Sequence, residues 1–159
     1  MDNALKKTVL RSFSYGLYAV TAHHDSEISI MTANWLMQCS FEPPMLMLAV
    51  ENDSHSRSVI EASGAFAVNL YESGQRELAG QLGRTFGKHP EKIEDIAWKY
   101  GAMTGSPLLE SALAWVECKI VSSTPAGDHI LFVAEVLDVG LNREGAPLTL
   151  KETGFKYAG

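Results

Sequence analysis

The chain has 159 residues, enough for one domain with a sizeable hydrophobic core. Hydrophobic residues make up 46% and charged residues 20%, the balance of an ordinary globular protein. The formal net charge of −6 argues against a nucleic-acid binder, which usually carries a basic face. Residues 1–10, MDNALKKTVL, are no signal peptide, since no long apolar run follows their charges. The densest apolar run, PMLMLAV, is far shorter than a membrane span, so a cytoplasmic protein is expected.

With no repeat, linker or low-complexity stretch, a single domain over residues 1–159 is expected. Residues 15–22 (YGLYAVTA) and 28–34 (ISIMTAN) read as strands joined by an HHDSE hairpin loop. The stretch TANWLMQCSFEPP, residues 32–44, alternates in steps of two. Thr32, Asn34, Leu36, Gln38 and Ser40 fall on one side, and Ala33, Trp35, Met37, Cys39 and Phe41 on the other. If Gln38 and Ser40 act partly through backbone groups, this strand must break or bend near Leu36. Residues 45–50 (MLMLAV) form a strand buried on both faces, with Pro43 and Pro44 ahead of its paired region.

Asp53 or Ser54 can cap a short helix that Gly64 ends. Residues 66–71 return to strand, and Ser73 can cap a second helix through Glu77, Leu78 and Leu82, with Gly83 past its end. Residues 84–107 read as loop with one helical turn. Residues 112–122 and 129–139 are the last long strands, joined by the turn PAGD. Six or seven largely antiparallel strands with two or three short helices predict a small closed barrel carrying helices on its outside.

Three segments can carry chemistry. In DSHSRS, residues 53–58, a helix N-terminus offers free N–H groups and a positive dipole end. Ser54, Ser56 and Ser58 add hydroxyls there, and His55 and Arg57 add charge or further donors. A phosphate would fit, although a serine-capped surface helix reads the same way. In GDH, His129 sits where a turn enters a strand and can donate a proton near neutral pH. In GRTFGKHPEK, Arg84, Lys88 and Lys92 ride on a glycine-bearing loop that can close over an anion or simply be solvated. No G-x-S-x-G, H-E-x-x-H, Walker loop or dinucleotide-binding fingerprint occurs. Cys39 and Cys118 lie far apart in apolar runs with no C-x-x-C pair, so they are expected as buried free thiols and no metal site is expected.

In order along the chain, YGLYAVTA, MTANWLMQCSFEPPMLMLAV, NDSHSRSVIEASGAFAVNL, GSPLLESALAWVECKI and AGDHILFVAEV together resemble the flavin reductase-like proteins of the FMN-binding split-barrel class. Each motif is loose alone; five in this order, over residues 14–139, are specific. The resemblance implies a mainly β fold with short helices, a six-stranded antiparallel split β-barrel. It also implies a homodimer with FMN at or near the subunit interface. Thr32, Ala33 and Asn34 would line the ribityl and phosphate side, with Trp35 in the same cofactor-binding set. Trp35, Met37 and Phe41 can also face core or subunit interface. Gln38, Cys39 and Ser40 would run along the isoalloxazine edge, and Ser54, His55 and Ser56 would hold the phosphate. Arg84, Thr85 and Lys92 match a loop that in relatives reads like FGR-x-SG ending in lysine. Here Phe86 replaces a small residue and Ile93 an aromatic one. His129 would stand by the flavin face where a nicotinamide stacks, as the catalytic residue. Phe155 and Tyr157 could pack at the dimer or over the flavin.

The resemblance thus implies an NAD(P)H-dependent flavin reductase, using NADH or NADPH to serve free flavin, a partner oxygenase or ferric chelates. A flavoredoxin-like electron carrier, reduced by a protein partner, is the alternative. A barrel that has lost its flavin is disfavoured by the retained DSHS and TAN segments.

Overall fold

The structure is a computed structural model and describes residues 1–157. An N-terminal helix α1 (Asn3–Leu10) precedes a run of four strands, β1 (Tyr18–His24), β2 (Glu27–Ala33), β3 (Leu36–Phe41) and β4 (Pro44–Glu51). Helix α2 (His55–Ser63), β5 (Ala65–Leu70) and α3 (Arg76–Leu82) follow, then a single 3-10 turn over Pro90–Ile93. The short strands β6 (Trp98–Tyr100) and β7 (Pro107–Leu109), the long pair β8 (Ala114–Ala126) and β9 (His129–Leu141), and α4 (Leu150–Thr153) complete the chain.

Seven strands make one antiparallel sheet in the order β2-β1-β5-β8-β9-β4-β3, while β6 and β7 pair separately. The nine strands among the described residues exceed the six or seven expected, and the main sheet has seven strands where the resemblance implies six. The two edges of this sheet, β2 and β3, are consecutive in the chain and joined only by Asn34 and Trp35. Two linking residues span at most about 11 Å, whereas the edges of a flat seven-stranded sheet would stand about 29 Å apart. The sheet is therefore rolled until its edges meet at this corner. The roll encloses a core of Val20, Leu48, Val50, Phe66, Val68 and Phe132, capped by Val59 and Ile60 from α2. A second cluster, with Leu17, Ile30, Tyr71, Leu82 and Leu109, packs α3 against the outer side. Strands β1 and β5 are buried on both faces because they lie between the two clusters.

Local chemistry sets the element ends. Ser54 caps α2 by accepting from the Arg57 N–H at 3.2 Å, and Gly64 ends it at φ 66°, as its sequence requires. The β8–β9 hairpin turns at Gly127, φ 67°. Four expectations need correction. Ser73 does not cap α3; its hydroxyl donates to Glu152 at 2.9 Å, a partner far along the chain that outcompetes the local cap. The described residues hold four α-helices where two or three were expected, since Asn3–Leu10 also forms one, capped by Asp2, that buries none of its residues. Alternation through residues 32–44 fails twice, at the Asn34–Trp35 link and at a bulge between Gln38 and Ser40. Cys39 is exposed on the edge strand β3, while Cys118 is buried and its thiol is pushed up to about 12, chiefly by loss of hydration.

Candidate active site

Where the rolled sheet brings β2, β4, α2 and α3 together, a cavity of about 900 Å³ opens. Thr32, Ala33, Asn34, Trp35, Ser54, His55, Ser56, Arg84, Thr85 and Lys92 all line it, although they come from four separate segments. Gln38, Cys39 and Ser40 do not line it. They sit on β3, where the Gln38 side chain bonds the Ser40 carbonyl at 3.0 Å. His129 is buried just behind the wall, its ring centroid 4.7 Å from that of Trp35. Arg57 does not contribute; it turns to Glu61 and to the Asn52 carbonyl.

One end of the cavity is an anion cradle. Helix α2 starts there, and the N–H groups of His55 and Ser56 have no carbonyl within the helix to bond. Ser54 is already committed to capping, since it also donates to the Glu51 carbonyl at 3.0 Å. Ser58 likewise donates to the His55 carbonyl at 2.7 Å. The His55 Nε2 is buried without a hydrogen-bond partner, and its ring lies flat under Phe86 at 4.3 Å and 12°. An unsatisfied buried polar atom costs about 1–3 kcal/mol, so this nitrogen is suited to a polar ligand. The loop above is fixed by Lys92, whose Nζ donates to the carbonyls of Leu82 and Arg84, each at 2.7 Å. Burial pulls the Lys92 amine down to about 8. On the adjoining wall, Tyr71 donates to Thr32 at 2.8 Å and Thr32 donates to the Ala79 carbonyl at 2.7 Å, joining β2 to α3.

The other end is aromatic and carries a hydrogen-bond chain. Tyr157 packs edge-on to Trp35 at 5.3 Å and donates to Glu51 Oε1 at 2.6 Å. His129 bonds the Tyr157 hydroxyl through Nε2 at 3.2 Å and Asp128 Oδ1 through Nδ1 at 2.7 Å. Both terminal groups are carboxylates that only accept. Asp128 is held below the ordinary carboxylate range by its bond to His129, and burial with the Glu51 bond holds the Tyr157 phenol protonated. Three bonds therefore need three protons, and the chain is complete only when the His129 ring carries both of its own. Phe155 lies over Gly80 and under the Arg76 guanidinium, and with Tyr157 it lines the cavity.

Sequence reasoning missed Glu51 and Phe86 as members of this site. Phe86 showed only as a departure from the family loop, and Glu51 as the unremarked end of a buried strand. Among the described residues, no cluster of His, Cys, Asp or Glu is arranged to hold a metal, and no helix is long and apolar enough to cross a membrane.

The sequence family described as flavin reductase like domain matches residues 10–159. This chain belongs to that family. Among relatives of this flavin reductase-like protein, the reductase component of 4-hydroxyphenylacetate 3-monooxygenase from Thermus thermophilus is 34% identical, covering 98% of this chain and 96% of the relative. A ferric-chelate reductase (NAD(P)H) from Archaeoglobus fulgidus is 30% identical, covering 86% and 81%. The structure of the NADH:FAD oxidoreductase SgcE6 from Streptomyces globisporus C-1027 matches with a TM-score of 0.78 at 31% identity, covering 89% of this chain and 84% of that one. The cavity fits a flavin. It joins an anion cradle, holding the unpartnered His55 nitrogen, to an aromatic wall where the Trp35 Nε1 is also buried without a partner.

Proposed function

We propose that this flavin reductase-like protein is an NAD(P)H-dependent flavin reductase of the split-barrel class, a cytoplasmic homodimer that binds FMN in the cavity described. The observation that carries this reading is one continuous cavity lined both by the start of α2 and by Trp35, with His129 packed behind Trp35. Bound flavin supplies the N5 position that accepts hydride from nicotinamide. The first-turn N–H groups of α2 and the Ser56 hydroxyl hold the phosphate, Arg84 adds charge above it, and Lys92 keeps the covering loop in place. Thr32, Ala33 and Asn34 line the connecting wall. His129, held by Asp128 and Tyr157, orients the nicotinamide and keeps a proton beside the ring. Electrons then pass to free flavin, a partner oxygenase or a ferric chelate. Exposed Met37, Phe41, Val139 and Leu141 are apolar surface for the second subunit to cover.

One observation favours a second reading, a flavoredoxin-like carrier. Phe155 and Tyr157 line the cavity, and Tyr157 packs on Trp35 where a nicotinamide would need room. The two readings separate when purified, FMN-loaded protein meets NADH or NADPH without oxygen. Prompt bleaching of the yellow protein supports the reductase. A yellow protein indifferent to both nicotinamides supports the carrier, and failure to take up FMN at all defeats both.

A further inference from the structure

Phe86 occupies an unusual place for a loop residue. Its ring lies parallel to that of His55, 4.3 Å away, with the two faces in contact and no room for a third ring between them. His55 is the first residue of α2, so this stack stands at the anion end of the cavity, and both rings line it. The loop is tied by hydrogen bonds on both sides of Phe86. Lys92 ties the carbonyls of Leu82 and Arg84 on one side of Phe86, and Thr85 accepts from the N–H groups of Lys88 and His89 on the other. A ligand whose first phosphate sits among His55 and Ser56 therefore meets the Phe86 ring at that end of the cavity.

We propose that Phe86, stacked on His55, is the specificity-determining residue that closes the phosphate end and selects the mononucleotide FMN over the dinucleotide FAD. The proposal rests on the phosphate assignment made above. FMN ends at its phosphate and leaves the stack intact. The second phosphate, ribose and adenine of FAD continue past that point and have to displace Phe86 from His55. A neighbour at 31% identity is an NADH:FAD oxidoreductase by name, so FMN selectivity does not follow from the fold alone and needs a feature such as this stack.

The test is the affinity of the apoprotein for riboflavin, FMN and FAD, read by fluorescence or calorimetry, in the native protein and in Phe86→Ala and Phe86→Trp. The native protein should bind FMN roughly tenfold or more tighter than FAD, the scale on which an obstructing side chain discriminates. Phe86→Ala should bring the two affinities close together, chiefly by gain for FAD, and Phe86→Trp should keep or widen the gap. FAD binding as tightly as FMN to the native protein overturns the proposal. So does an FMN-to-FAD ratio that Phe86→Ala leaves unchanged, including equal loss of both. Riboflavin reads the underlying assignment separately. If riboflavin binds as tightly as FMN, the phosphate site is wrong, whatever the ratio of FMN to FAD.

Discussion

Tyr157 bonds His129 at 3.2 Å while donating its own proton to Glu51 at 2.6 Å. This joins the end of the chain to the residue most suited to proton chemistry. The cavity wall at Tyr157 and the His129 ring are thus coupled. Tyr157→Phe removes the bridge and leaves both His129 Nε2 and Glu51 without their partner. Single-turnover reduction of FMN-loaded protein, followed by anaerobic stopped-flow, should slow in Tyr157→Phe and more in His129→Ala. The double variant should be no slower than His129→Ala, because both changes act through one ring. Additive losses would show that Tyr157 acts independently. Loss of flavin from His129→Ala, in place of slow hydride transfer, would make His129 a binding residue.

The serines of α2 should separate by role. Ser54 is engaged in capping, so Ser54→Ala should lower stability by about 1 kcal/mol in urea unfolding with a small effect on flavin. Ser56 is buried and lines the cavity, and its hydroxyl has no hydrogen-bond partner among the described residues. Its loss should weaken FMN binding by about 1.5–3 kcal/mol, the range of a hydrogen bond to a charged group. Equal effects of the two changes on FMN affinity would contradict this division.

Lys92 predicts a pH signature. Its amine titrates near 8 in the folded protein against the ordinary 10.5, because burial disfavours the charged form. Below about 8 both states hold the proton and above about 10.5 neither does. Between these limits the unfolded chain binds more protons, so stability contributed by this group rises with pH. Urea unfolding of the native protein, compared with Lys92→Met, should therefore show a relative gain from pH 8 to pH 10. The neutral amine has two N–H donors, matching the carbonyls of Leu82 and Arg84. The charged form has a third to offer a phosphate. FMN binding above pH 8 should accordingly take up protons, seen by calorimetry in buffers of different ionisation enthalpy. Lys92→Met should abolish that uptake.

Glu117 tests the scaffold away from the cavity. Its carboxylate is fully buried and accepts from the N–H groups of Met103 and Thr104 and from the Thr104 hydroxyl, pinning the loop between β6 and β7. Glu117→Gln turns an amide toward those donors. The loss should be about 2 kcal/mol or more in urea unfolding, with flavin affinity unchanged.

What the sequence revealed was mostly what neighbouring residues decide. The β8–β9 hairpin is written in PAGD and α2 in its Ser54 and Gly64 caps. DSHS and GDH are also legible locally, the first lining the cavity and the second supplying His129 behind its Trp35 wall. Long-range contacts left no such trace. Ser73 has the look of a cap until Glu152 claims it, and Tyr157 reaches Glu51 across 106 residues. Even alternation in TANWLMQCSFEPP, a strong local signal, gives way at Asn34–Trp35, where closing the rolled sheet demands a break. The residues after that break, Gln38, Cys39 and Ser40, were drawn to the flavin by resemblance, yet they lie on the edge strand outside the cavity.

The most direct measurement is a crystal structure of the protein soaked or grown with FMN. The phosphate should lie within hydrogen-bond distance of Ser56 Oγ and His55 Nε2, the isoalloxazine near Trp35 and His129, with Phe86 still stacked on His55. A flavin bound outside this cavity, or one bound in reverse with its phosphate beside Tyr157, would contradict this placement.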